Sequence, residues 1–266
     1  MSGPPTTTAL RTVRATRYAA PLREGGSLPA LVEADDDGLY VVKMRGAGQG
    51  PKALVAEVVA GELARRAGLT VPEIVLVELD AALAPAEPDQ EIQDLLRASI
   101  GANAGLDFLP GALAFDPGAP PPVDPAVAAA VVWLDALFTN VDRTARNPNL
   151  LEWHGRLWLI DHGAALYQHH FTWDLASRAG DPFPAIAEHV LLPFACSIND
   201  VDEELAGALD AGAVEEVVAL VPDGWVVADG EDADPAGRRR AYVDYLTRRL
   251  APPRAFADEA ERARAR

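Results

Sequence analysis

Leu137-Phe138-Thr139-Asn140-Val141-Asp142-Arg143-Thr144-Ala145-Arg146-Asn147, followed by Arg156-Leu157-Trp158-Leu159-Ile160-Asp161-His162-Gly163, is the part of this chain whose reading decides the fold. It supplies an aspartate, an amide five residues later, and a second aspartate at the end of an apolar run. Phosphoryl transfer from a metal-bound nucleotide needs that set: one carboxylate to orient an attacking hydroxyl, an amide oxygen and a second carboxylate to hold Mg²⁺ on the phosphates. An apolar strand running into Asp161 suits the metal-holding role, because a rigid element fixes a ligand better than a loop does. Asp-x-x-x-x-Asn by itself is also what an Asx-turn between a helix and a hairpin looks like. The residues upstream must decide between the two.

Residues 13–20 and 27–33 read as two short strands around Pro21-Leu22-Arg23-Glu24-Gly25-Gly26. Asp35-Asp36-Asp37-Gly38 is a turn signal, and Leu39-Tyr40-Val41-Val42-Lys43 is a β-branched and aromatic run. The result is a three-stranded meander with paired glycines in its first connection and a lysine ending its third strand. Glycines let backbone N–H groups approach phosphate, and the lysine can reach the same phosphates as a point charge. A glycine hairpin turn and a surface lysine are the plainer alternative.

Leu54, Val55, Val58, Val59, Leu63 and Ala67 recur at helical spacing, which predicts a helix over residues 52–67, punctuated by Gly68 and Pro72. Its glutamates, Glu57 and Glu62, lie roughly 140° apart around the axis, so both cannot face one cleft. Glu57 shares a face with Gly61 and Ala64 and is the expected partner of Lys43, whereas Glu62 is expected on a solvated face with Arg65 and Arg66. The glycine-rich run Gly46-Ala47-Gly48-Gln49-Gly50-Pro51-Lys52 before the helix reads as phosphate contacts at its N-terminus or as a linker. Residues 74–79 give a further strand.

These parts, in this order, resemble the HipA-like kinases, a bacterial branch of the protein-kinase-like superfamily related in outline to the phosphatidylinositol kinases. The resemblance rests on Val41-Val42-Lys43, on Glu57 with Leu63-Ala64 and Gly68-Leu69-Thr70-Val71-Pro72, on Asn140-Val141-Asp142-Arg143 with Asn147, and on Ile160-Asp161-His162-Gly163. It spans residues 12–170. It implies an α+β, two-lobed protein-kinase-like fold: a small antiparallel sheet plus helix as N-lobe (residues 12–80) and a mainly helical C-lobe (81–255), between a disordered tail (1–11) and a charged tail (256–266). It implies ATP and Mg²⁺ as cofactors. Lys43 becomes the phosphate-binding lysine, Glu57 its partner, Asp142 the catalytic aspartate, and Asn147 and Asp161 the metal ligands. Gly25, Gly26 and Ser27 fall in the phosphate loop, and a hinge near residues 78–82 sets the backbone of Glu78 and Leu79 against the adenine. Two positions depart from the pattern: Asp161-His162-Gly163 replaces the usual Asp-Phe-Gly, and Thr144 stands where relatives often carry histidine. The chain is also short for a full-length HipA toxin, which leaves a toxin role open.

Composition agrees with this reading. The 266 residues suit one large domain or two small lobes sharing a cleft, and 49% hydrophobic content supports a sizeable core. No run reaches the about 18 apolar residues of a membrane span, and the N-terminus lacks a signal pattern, so a cytoplasmic location is expected. Cys196 alone cannot form an intramolecular disulfide. A net charge of −17 argues against a nucleic-acid surface; it reads first as a solubility feature, with a basic protein partner or substrate as the sharper alternative. The basic clusters at residues 238–240, 248–249 and 262–266 are expected to complement the C-terminal helix dipole.

Elsewhere, residues 99–105 read as a glycine-rich loop, 126–138 as a buried helix, and 185–194, 200–209, 214–220 and 235–250 as further helices. His169-His170 suggests a metal site, but neighbouring histidines point different ways and no third ligand is evident. The sequence and its resemblance therefore predict an ATP- and Mg²⁺-dependent phosphotransferase acting on a Ser or Thr of a protein, with Asp142 orienting the acceptor hydroxyl and a small-molecule acceptor as an alternative. Transfer of AMP, or a silent kinase-like module that binds nucleotide or a partner, are the alternatives.

Overall fold

Strands with one face of small and β-branched residues roll the first part of the chain into a closed barrel. The computed structural model describes residues 9–22, 29–227 and 233–266. Strands β1 (Thr12–Pro21), β2 (Ala30–Ala34) and β3 (Leu39–Lys43) form the meander, followed by helix α1 (Pro51–Arg66) and strand β4 (Ile74–Leu79). Helix α2 (Gln90–Ala98) then leads into β5 (Gly101–Asp107). The strand order is β1-β2-β3-β5-β4, and β1 pairs in parallel with β4 to close the barrel. Val13, Ala15, Ala30, Val32, Ala34, Tyr40, Val42, Val75 and Val77 fill its interior, as expected where five strands leave room only for side chains. Asp35-Asp36-Asp37-Gly38 makes the anticipated turn: Gly38 N donates to Asp36 Oδ1 at 3.0 Å, and Asp37 sits at φ 62°.

Residues 99–105, expected to be a loop, instead contain most of β5, the strand between β3 and β4. Its sequence, Gly-Ala-Asn-Ala-Gly-Leu-Asp, has almost no β-branched content and so carries a weak strand signal. The composition has a steric cause. A Cβ on Gly105 would lie 2.5 Å from Val77 Cγ2 and 3.1 Å from Val75 Cγ2, so the barrel closes only around glycine. Buried Asn103 secures the strand's entry, donating to Ser99 O and Gly101 O and accepting from Arg45 N at 2.8 Å. The boundary expected at residue 80 is therefore displaced: after β4 the chain returns through α2 to the same barrel and leaves it after Asp107.

The rest is mainly helical. Strands β6 (Leu113–Ala114), β7 (Leu150–Trp153) and β8 (Arg156–Leu159) make a small sheet, and helix α3 (Pro125–Phe138) runs through the core. Asp124 caps α3 and Pro125 starts it; every residue from Ala128 to Phe138 is buried. Helices α4 (Asn199–Ala208), α5 (Ala211–Ala219), α6 (Asp223–Val226), α7 (Pro235–Leu250) and α8 (Ala255–Arg264) follow. Residues 185–194 form two short 3-10 turns, not a helix, because Pro193 cannot continue one. The charged tail expected from residue 256 is α8, which buries Phe256, Ala257, Ala260 and Ala263 and sets Phe256 edge-on against Trp133. Arg249 likewise turns inward, donating to Ala136 O and Leu137 O at 2.9 Å each. It thus caps α3, not its own helix, and fixes the point where the next loop begins.

Candidate active site

Helix α3 ends at Thr139, whose left-handed backbone (φ 52°) turns the chain into Asn140-Val141-Asp142. A buried polar network holds this loop. Asp135, on the last turns of α3, accepts from Asn140 Nδ2 at 2.9 Å, Arg143 Nε at 2.6 Å and His189 Nε2 at 2.9 Å. Burial opposes the charge on Asp135, but the Arg143 guanidinium and these hydrogen bonds keep its carboxyl well below the usual carboxylate range. Arg143 also reaches the carbonyls of Asn149 and Ile160, joining the loop to the residue before Asp161. Asp142 N donates to Asn140 Oδ1 at 3.1 Å, and Thr144 and Asn147 exchange backbone hydrogen bonds. The loop is fixed from below by groups that never reach solvent.

Above it, Asp142, Asn147, Asp161, Gly163 and Lys43 line one cavity of about 320 Å³, with Met44, Ala47, Gln49, Gly50 and Ala53 on its other wall. Lys43, at the end of β3, is buried and pairs with both Glu57 and Asp161. Burial opposes its charge, yet the two carboxylates raise its pKa, so it remains an ammonium. Glu57 is wholly buried; burial alone would raise it, but Lys43 and His162 bring it down to about 2. Asp142 is shifted the other way, upward, by burial first and by the charge of Asp161 second, against a hydrogen bond from Asn147 Nδ2 at 2.8 Å. Two like charges thus face a cavity edged by an ammonium.

Lys43, Asp142, Asn147 and Asp161 line one cavity, with Glu57 paired to Lys43 behind it, the grouping that the family resemblance implied. Glu78 and Leu79 are not at this cavity: they pair with Ala102 and Gly101 inside the barrel sheet, because the chain does not leave the barrel there. Gly25, Gly26 and Ser27 lie outside the described residues. The run from Gly46 does contribute cavity wall through Ala47, Gln49 and Gly50. Glu62, expected in solvent, is buried with its pKa raised by that burial, 3.6 Å from Arg65. It points away from Lys43 as the helix geometry required, but α1 is enclosed on more sides than its sequence suggested. His169 is buried between Tyr242 and His170 (3.0 and 3.1 Å). Among the described residues no group of three or more His, Cys, Asp and Glu is arranged to hold a metal. Asp135, Arg143 and His189 were not anticipated. A lone acid in an all-apolar helix was the available signal, since a buried charge requires a partner.

Residues 16–254 match the family of HipA-like kinases, and the chain belongs to that family. Its fold is similar to the crystal structure of the Helicobacter pylori proinflammatory kinase CtkA, with a TM-score of 0.55 at 12% identity, over 96% of this chain and 98% of that one. No curated protein matches the sequence. No helix among the described residues is long and apolar enough to cross a membrane.

The Lys43–Glu57 pair makes a direct prediction. Glu57→Gln should lower turnover at least about tenfold, a loss of about 1.4 kcal/mol of transition-state stabilisation, and Glu62→Gln should change it less than about twofold. Steady-state rates on the two variants check this, and equal losses would undo the assignment.

Proposed function

We propose that this chain is an ATP- and Mg²⁺-dependent kinase in which the barrel and the helical part act as two lobes around the cavity, and that its acceptor is a Ser or Thr hydroxyl of a protein. The observation that carries this reading is the convergence of Lys43, Asp142, Asn147 and Asp161 on one cavity. The donor set fits the cofactor. Mg²⁺ is satisfied by one or two carboxylates and keeps its remaining positions for water and phosphate oxygens. Asp161 and Asn147 would hold it, and Asn147 Oδ1, the atom suited to a cation, is not used in the hydrogen bond to Asp142. Mg·ATP, when bound, supplies the phosphoryl group and the cation that neutralises it.

The chain's own residues do the rest. Lys43 presents a permanent positive charge, and Glu57 keeps that ammonium directed into the cavity. Asp142, held from below by Asn140 and the Asp135–Arg143 pair, accepts a hydrogen bond from the acceptor hydroxyl and aligns it for attack. A net charge of −17 favours a basic acceptor segment. Mg·ATP at about 100 times its Kd should add about 2.7 kcal/mol to stability, seen as a higher melting temperature, with EDTA removing most of the gain. A folded sample that shows no shift at millimolar Mg·ATP would count against this reading.

A further inference from the structure

His162 lies between Asp161 and Gly163, and its main-chain N–H and its ring Nδ1 both contact one side chain on another element. Its backbone N–H donates to Glu57 Oε2 at 2.8 Å, and its ring Nδ1 lies 3.3 Å from Glu57 Oε1. Residue and partner are closed off from solvent, at 1% and 0% exposure. An ionised carboxylate only accepts hydrogen bonds, so Nδ1 must carry the ring proton. Nε2 is buried without a hydrogen-bond partner. His162 packs on α1 beside Gly61, one turn after Glu57, where a Cβ would be in ordinary contact with His162 Nδ1 at 3.6 Å. Glu57 Oε2 is also the atom that receives Lys43 Nζ. Glu57 is therefore held by three donors, two of them from His162.

We propose that His162 is a positioning residue: through its Nδ1–H and main-chain N–H it fixes Glu57, and with it Lys43, relative to Asp161, so that α1 and the Asp161 loop form one unit. A phenyl ring at this position fills similar space but offers no ring donor, so Glu57 Oε1 loses its partner while the main-chain N–H and Lys43 still hold Oε2. The effect on turnover rests on the kinase reading; the contact itself does not.

The test uses the full chain with His162→Phe, which keeps ring volume, and His162→Asn, whose amide places a donor near the Nδ1 position. His162→Phe should lower kcat about tenfold with KM for ATP changed less than about threefold, and His162→Asn should recover to within about threefold of wild type. Full kcat in His162→Phe, or an equal loss in both variants, would overturn the proposal. An independent readout is ¹⁵N-histidine NMR of the wild type, where Nδ1 of His162 should carry a proton. An Nε2–H tautomer overturns the proposal whatever the activity. Absence of phosphoryl transfer by the wild type would sink the kinase reading, and the tautomer would then decide the His162–Glu57 contact.

Discussion

Asp142→Asn is expected to lower phosphoryl transfer by about 10²–10⁴-fold while leaving Mg·ATP affinity within about twofold. The asparagine keeps the size of the side chain and the hydrogen-bonding loop around it, but it cannot accept the hydroxyl proton or polarise the O–H bond as a carboxylate does. Asp161→Asn should differ in kind, weakening nucleotide binding as well as turnover, because that carboxylate pairs with Lys43 and is the proposed Mg²⁺ ligand. Asp142 also sets a pH dependence. Burial and the neighbouring Asp161 charge raise its pKa above the ordinary 3.8, and only the ionised form serves. Activity is therefore full well above that raised pKa and falls as pH drops through it, giving an acid limb displaced upward from a normal aspartate. Initial rates across pH, with calorimetric titration of Mg·ATP into each variant, check both statements. Unchanged turnover in Asp142→Asn would remove Asp142 from the chemistry.

Asp135→Ala is expected to destabilise the protein by about 3–5 kcal/mol, because it leaves the buried Arg143 guanidinium without its counter-charge. Arg143 is 1% exposed and already has one nitrogen, Nη2, without a hydrogen-bond partner, so the network has little capacity to absorb the loss. The same substitution frees Asn140 and His189, which hold the loop carrying Asp142. Chemical denaturation of wild type and variant should show a lower midpoint at similar slope. A difference below about 1 kcal/mol would mean that the pair does not support the loop.

The parts of the site legible in the sequence are those whose chemistry is written locally. Lys43 ends a β-branched run, Glu57 sits in a helical repeat, and Asp142 and Asn147 share one loop, so local pattern together with the order of the motifs, as a family resemblance, brought them near their observed places. The hidden parts depend on packing between distant segments. Strand β5 carries Gly105 where a Cβ would crowd Val75 and Val77, and it has no β-branched residue, which erases the usual strand signal. The misplaced exit from the barrel follows from that one omission, and Glu78 and Leu79 were assigned to the cavity because of it. His189 is 54 positions from Asp135 in an irregular segment, so nothing local announces their contact. Helix α8 looked like a solvated tail by its charge, although Phe256, Ala257, Ala260 and Ala263 fall on one helical stripe. Arg249 was read as a dipole partner for its own helix, and only the crossing of α7 and α3 shows whose carbonyls it serves.

Incubation of the purified protein with Mg²⁺, a cell lysate and ATP labelled at either the γ- or the α-phosphate tests the kinase reading most directly. Label from the γ position should appear on serine or threonine of an acceptor protein, disappear with EDTA and fall to background with Asp142→Asn. Transfer of the α label, or γ transfer undiminished in Asp142→Asn, would contradict the reading.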